Sequence, residues 1–568
     1  MSDSVPEPAG TAGSAVGDIV AGYSFTGPAL DLGALLWDGR AVPEAQIRVP
    51  LGMLNRHGLV AGATGTGKTK TLQLIAEQLS AQGVPVFLAD VKGDVSGISE
   101  PGEAGERVTA RAGEVGQRWE AGGCPAEFYA LGGIGHGVPV RATVTSFGPV
   151  LLSKVLQLNR TQEQSLGLVF HYADGKGLEL VDLKDLRAVV AFLVSDEGRA
   201  ELKEIGGLSA ATAGVILRSL TAFEQQGAAA FFGEPEFDTG ELLRTADGLG
   251  VVSLLELSAV QDRPQLFSTF LMWLLADLYH DLPEVGDLDR PKLVFFFDEA
   301  HLLFSDASKA FLEAITQTVR LIRSKGVGVF FVTQTPKDVP AEVLGQLGNR
   351  VQHALRAFTP DDQKALRATV RTFPDSPYDL EEVLTALGTG EAVVTVLSEN
   401  GAPTPVAATR LRAPESLMGP LDPAALDAAV KGSALYGRYA EAVDRESAFE
   451  RLAARGAEGS GREPGPGPGP GPGPAPAPGP GPGPGPGPGP ESGSGPGRES
   501  SESGSGSGSG SASDRESARG KGVAAGRADP SLVEQVVGSG VFKSLARSVG
   551  TQLGREISRS LFGTARRR

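Results

Sequence analysis

This chain of 568 residues has one cysteine, Cys124, so an intramolecular disulfide and a cysteine metal cluster are both excluded. Histidine is nearly as scarce: there are six, and none stand at the spacing of metal ligands. Long apolar runs are missing as well. The opening MSDSVPEPAG has neither the basic nor the apolar region of a signal peptide, and the most apolar stretch, around Phe270 to Leu278, is interrupted by Asp277. A cytoplasmic location is the expectation from these absences. Positive charge is also in deficit: the net charge of −16 argues against a protein that coats nucleic acid electrostatically, while leaving room for a local basic channel. What the chain does have is apolar content, 40% of its residues, enough for a sizeable buried core.

The most informative stretch is Leu59 to Leu74, LVAGATGTGKTKTLQL, where an apolar run ends at a glycine-rich loop and an apolar-periodic segment follows. The match to G-x-x-x-x-G-K-[ST] between a strand and a helix identifies a P-loop. Gly62, Gly65 and Gly67 let the backbone turn its N–H groups inward at the positive end of a helix, and that concavity suits phosphate oxygens. The cradle runs through Gly62, Ala63, Thr64, Gly65, Thr66, Gly67, Lys68, Thr69 and Lys70. Lys68 can reach the β and γ phosphates of ATP, and the Thr69 hydroxyl can take one coordination position on Mg²⁺.

In chain order, residues 1–22 are small and polar and are expected to be disordered. Leu30–Trp37 and Ile47–Val49 read as short strands leading into the nucleotide site. After the P-loop helix, Val84–Ala89 is an apolar strand closed by Asp90, Val91, Lys92, Gly93 and Asp94. These residues complete a βαβ unit and belong either to the site or to an ordinary polar loop. Residues 96–250 are expected to form a mostly helical insertion, and Val251–Leu257 to return to the sheet as a buried strand.

The second decisive stretch is Lys292 to His301, KLVFFFDEAH. Five apolar residues predict a strand buried on both faces with two carboxylates at its carboxyl end, a Walker B pattern. Asp298 would bind the Mg²⁺ hydration shell and Glu299 would polarise the attacking water, which favours hydrolysis over transfer to a bound acceptor. The next strand, Val327–Val332, ends in Thr333-Gln334-Thr335-Pro336, where Gln334 can sense the γ phosphate or cap the turn. The core is expected to close with a hairpin, Glu391–Leu397 and Val406–Leu411, turning at Glu399-Asn400-Gly401. Together these patterns predict an α/β fold with a mostly parallel sheet flanked by helices, spanning residues 23–412 and followed by a helical segment over 413–458.

The succession NRHGLVAGATGTGKT, VFLADVKGD, VFFFDEAH and TVRLIRSKGVGVFFVTQ resembles the HerA/FtsK superfamily of RecA-like DNA-translocating ATPases, and more narrowly the HerA-like C-terminal-domain family, over roughly residues 23–455. The resemblance implies a homo-oligomeric ring, typically a hexamer, with nucleotide between subunits and an arginine supplied in trans. Arg323 matches that arginine's position and Arg320 is the alternative; Arg350 and Arg356 are weaker candidates. It also implies DNA as the polymer that is moved. Residues 23–55 are short for the β-barrel that precedes the motor in HerA translocases, and no basic stripe stands out, so a switch or scaffold acting on protein partners is the competing expectation.

Residues 459–526 are Gly-Pro and then Ser-Gly repeats, a disordered linker with no strict collagen period. Beyond it, over residues 527–568, Phe542, Leu545, Val549, Leu553, Ile557 and Leu561 stand at helical spacing among Lys543, Arg547, Arg555, Arg559 and Arg566 to Arg568. That pattern predicts a basic amphipathic helix, which either docks on the ring or on a partner protein or contacts nucleic acid or an anionic membrane surface; the resemblance, which includes a similar tail, implies docking.

Overall fold

The computed structural model describes residues 9–203, 206–304 and 309–460. The strands are β1 (Ala29–Trp37), β2 (Arg40–Pro50), β3 (Gly58–Ala61), β4 (Val86–Asp90), β5 (Ala126–Leu131), β6 (Val138–Val140), β7 (Thr245–Ala246), β8 (Leu249–Gly250), β9 (Val252–Glu256), β10 (Leu293–Phe297), β11 (Val327–Thr333), β12 (Asn349–His353), β13 (Glu391–Thr395) and β14 (Ala407–Leu411). Twelve of them form one sheet in the order β2-β1-β14-β13-β12-β3-β11-β10-β4-β9-β5-β6, while β7 and β8 pair as a separate ribbon. From β12 to β6 every neighbouring pair is parallel, and from β2 to β12 every pair is antiparallel.

The central strands are continuous apolar runs because helices cover both faces of a parallel sheet. β3, β4, β9, β10 and β11 are buried at every residue. Phe296 faces its register partner Phe330 at 5.2 Å between ring centroids, and Phe297 faces Phe331 at 5.6 Å. Such pairs contribute about 0.5–1.5 kcal/mol each beyond burial, and a slip of one residue that set Phe297 against Phe330 would leave one such pair in place of two. The helix Pro264–Asp281 is buried at every residue from Leu266 to Leu278, which explains its apolar composition. Among the described residues no helix is long and apolar enough to cross a membrane.

Two expectations need correction. Residues Ala9–Gly22, expected to be disordered, form a helix, α1. Ile19 and Tyr23, four residues apart, are each only 1% exposed, and the Tyr23 hydroxyl lies 2.9 Å from the carbonyls of Val394 and Pro405. A small, weakly apolar segment becomes ordered there because the antiparallel edge of the sheet gives its few large side chains a place to bury. The insertion over 96–250 is dominated by helices, beginning after the P-loop helix α2 (Lys68–Ala81) with α3 (Glu106–Val115), but it also contributes β5 and β6 to the main sheet. The segments expected as a linker and a basic amphipathic helix over residues 459–568 lie outside the described residues, apart from Gly459 and Ser460 at the end of the helix Ala448–Ser460.

Buried His57, between β2 and β3, accepts a hydrogen bond on Nδ1 from the Val329 N–H at 3.0 Å. Burial pushes its pKa down from 6.5 to about 4. Its contribution is complete above pH 6.5 and is lost as pH falls toward 4, because over that window the unfolded chain takes up a proton that the folded chain refuses. Between pH 7 and pH 5 the loss is about 2 kcal/mol. Urea unfolding at the two pH values measures it, and the pH-dependent loss should be smaller in His57→Asn than in the natural chain.

Candidate nucleotide-binding site

Because β3, β4, β9, β10, β11 and β12 run parallel, the residues that follow each of them meet at one edge of the sheet. That edge carries Gly62 after β3, Asp90 to Asp94 at the end of β4, Glu256 at the end of β9, Asp298 and Glu299 after β10, Gln334 after β11 and His353 at the end of β12.

The loop from Gly62 to Gly67 enters α2 with Gly67 as N-cap at φ +110° and no side-chain cap, so the first-turn N–H groups have no intrahelical acceptor. Gly65 is also left-handed, at φ +79°. A Cβ at Gly62 would sit 2.4 Å from the His353 Cβ, so glycine is required there by contact. An uncapped helix N-terminus facing a glycine cradle fits a phosphate group. Lys68 is 7% exposed and donates to the carbonyls of Gly62 at 2.8 Å and Ala63 at 3.2 Å. Burial lowers its pKa. Thr66 donates to the Ala63 carbonyl at 2.7 Å, Thr69 is half-buried on the first turn of α2, and Lys70 reaches Gln73.

The loop is braced by residues that sequence reasoning did not single out. Gly390 N–H donates to the Thr66 carbonyl at 2.9 Å, and Arg111 on α3 holds the turn by donating to the carbonyls of Thr389 and Gly390. Behind the loop, His353 Nε2 meets the Thr71 hydroxyl at 2.9 Å. Arg356, offered by the sequence as a weaker candidate for the trans arginine, donates to the Thr64 carbonyl of its own loop at 3.4 Å.

Asp298 and Glu299 are 5% and 7% exposed. Burial pushes the Asp298 carboxyl up to about 7 against the opposing pull of Lys92. Burial also acts to raise Glu299, but its hydrogen bond and charge pairing with Lys92, helped by His301 and Lys68, outweigh burial and hold it below the usual range. Lys92 forms a salt bridge with Glu299 Oε1, and His301 Nδ1 stands 3.2 Å from Glu299 Oε2. The loop after β4, left open in the sequence between site and ordinary turn, is therefore part of this edge. Glu299 sits at φ +45°, a left-handed conformation that costs a non-glycine residue about 1–2 kcal/mol.

Gln334 is exposed at the tip of β11, which lies between β3 and β10, beside a recess lined by His301, Phe304, Thr335 and Asp338. Arg323 and Arg320 are not brought here. Both are exposed and precede β11, at the opposite end of the sheet, roughly 20 Å from their own P-loop along a seven-residue strand. Glu256 went unnoticed as a site residue. Its signal was a lone carboxylate at the end of the buried strand VSLLE.

A family model described as Helicase HerA-like C-terminal matches residues 38–464. Among curated proteins, the DNA double-strand break repair helicase HerA of Sulfurisphaera tokodaii is 34% identical over 108 residues, 19% of this chain and 21% of that protein. A probable helicase of Methanocaldococcus jannaschii is 29% identical over 153 residues, covering 25% and 28% respectively. The chain thus spans less than a third of the length of either relative. Among solved structures, the bacterial conjugative coupling protein TrwBΔN70 aligns with 72% of this chain and 94% of its own at 14% identity and a TM-score of 0.48. VirB4 of Thermoanaerobacter pseudethanolicus aligns with 68% and 97% at 14% identity and a TM-score of 0.44.

Proposed function

We propose, from the premise that this chain belongs to the helicase HerA-like C-terminal family, that it hydrolyses ATP and couples hydrolysis to movement along DNA. The observation that carries the hydrolytic part is one shared edge: an uncapped, glycine-cradled helix N-terminus stands two strands from a buried Asp298–Glu299 pair.

In this reading residues 62–70 hold the triphosphate, and Lys68 exchanges its two carbonyl partners for phosphate oxygens. Thr69 and Asp298 would hold Mg²⁺, which when bound neutralises charge between the β and γ phosphates. Glu299 orients the attacking water once Lys92 releases it, and Gln334 reads the γ phosphate. The ATPase unit is residues 23–412 with the helical segment 413–458 packed on it, in a cytoplasmic homo-oligomeric ring that is hexameric in the family pattern.

Arg323 supplies the trans arginine, and its distance from its own P-loop supports service to a neighbouring copy. Arg323→Ala and Lys68→Ala chains should each be inactive alone and regain activity when mixed, since at equal proportions roughly a quarter of interfaces pair an intact P-loop with an intact arginine. Full activity of Arg323→Ala would remove it from the site and leave Arg320 to test.

Steady-state phosphate release with and without duplex DNA, single-stranded DNA and RNA, at two salt concentrations, tests the whole reading. Stimulation by DNA supports translocation. Hydrolysis indifferent to every nucleic acid would favour a switch acting on protein partners, and no hydrolysis at all would overturn the proposal.

A further inference from the structure

Beside the P-loop, three carboxylates from the ends of β4 and β10 occupy one small volume, and a fourth stands at the end of the neighbouring β9. Oxygens of Asp90, Asp94 and Asp298 all lie within 4.8 Å of one another. Glu256 is the register partner of Asp90 across β4 and β9, and its own carboxyl is raised by burial and by the charges of Asp90 and Asp94.

Hydrogen bonds account for Asp90: Oδ1 accepts from the N–H groups of Lys92 and Gly93, and Oδ2 from that of Val95. They do not account for the others. Asp94 Oδ1, Glu256 Oε1 and Asp298 Oδ2 are buried without a hydrogen-bond partner, and Glu256 and Asp298 are 6% and 5% exposed. Buried carboxylate oxygens are normally paired, hydrogen-bonded or bound to a metal.

The nearby ammonium groups give their hydrogen bonds to other partners: Lys68 to the loop carbonyls, Lys70 to Gln73 and Lys92 to Glu299.

We propose that Asp90, Asp94 and Asp298, backed by Glu256, bind a divalent cation in the absence of nucleotide. The donors are all carboxylate oxygens, which selects a hard ion such as Mg²⁺, Mn²⁺ or Ca²⁺. Ligands on opposite sides of such ions stand about 4.2 Å apart for Mg²⁺ and about 4.8 Å for Ca²⁺, so the observed separations need at most a small side-chain rotation. The ion would hold the loop from Asp90 to Val95, and with it Lys92, in place before ATP arrives. It differs from the Mg²⁺ that accompanies the triphosphate, because it requires neither Thr69 nor a phosphate.

The test is titration of the full chain with Mn²⁺, without nucleotide, followed by electron paramagnetic resonance of the free ion. One Mn²⁺ per chain is expected, with affinity about tenfold or more weaker in Asp94→Asn and in Glu256→Gln and unchanged in Thr69→Ala. Asp94 lies in a half-buried loop, so Asp94→Asn carries the test if Glu256→Gln does not fold. No binding without nucleotide overturns the proposal; so does binding that both acidic substitutions leave intact, which marks an adventitious ion only. Equal loss in Thr69→Ala also overturns it, by assigning the ion to the P-loop site. Hydrolysis is not read in this experiment, so its result stands whether or not the chain proves to be an ATPase.

Discussion

Replacing Lys68 by alanine is expected to abolish ATP hydrolysis, with phosphate release falling by about 10²–10³-fold. The lysine is nearly buried at the first residue of α2, and its ammonium is held by two carbonyls of its own loop. Those carbonyls keep the charge at the mouth of the cradle, and burial, by weakening its hold on a proton, marks how little water competes for it. In so dry a place a positive charge aimed at developing negative charge is worth far more than at the surface. Alanine keeps the helix start, because the turn into α2 is made by Gly65 and Gly67, so folding should be little changed. A thermal melt beside the phosphate-release assay separates the two effects. A rate within about tenfold of the natural chain would remove Lys68 from the chemistry.

Glu299→Gln is expected to leave nucleotide binding intact while lowering turnover by about 10²–10⁴-fold. Glutamine has the shape of glutamate and inherits the same left-handed backbone at φ +45°, so it adds no new strain. What it loses is the charge that lowers the barrier for the attacking water, and with it the salt bridge to Lys92. Because Lys92 is half-exposed while Glu299 is buried, the pair leaves one side open to an incoming anion, which can draw the lysine away from the carboxylate. The decisive measurement pairs nucleotide affinity, from fluorescence of a labelled ATP analogue, with single-turnover hydrolysis. Affinity that falls as far as the rate would make Glu299 a nucleotide-binding residue and leave the water without an orienting base.

LVAGATGTGKT and KLVFFFDEAH could be read as strand, loop and site because the chemistry of each is local: glycines where the backbone must turn, apolar residues where a strand is buried twice, carboxylates at its end. The hairpin of β13 and β14 was legible for the same reason, with Gly401 at φ +81° in its turn. The helix α1 was not, because it is stabilised by where Ile19 and Tyr23 land rather than by its own propensity.

The sequence by itself determined that a phosphate cradle and a pair of carboxylates exist and that strands end in them, since each is written in a run of about ten residues. Only the tertiary structure decided which strands lie side by side. Strand order set Glu256 against Asp90 across more than 160 positions of chain, gave Glu299 its lysine, placed the Thr389–Gly390 turn under the loop and left Arg323 at the far end of the sheet. Those juxtapositions depend on parallel strands joined by long crossovers, and the pairing of such strands is chosen by burial of whole faces, a sum over the core that no local window of residues contains.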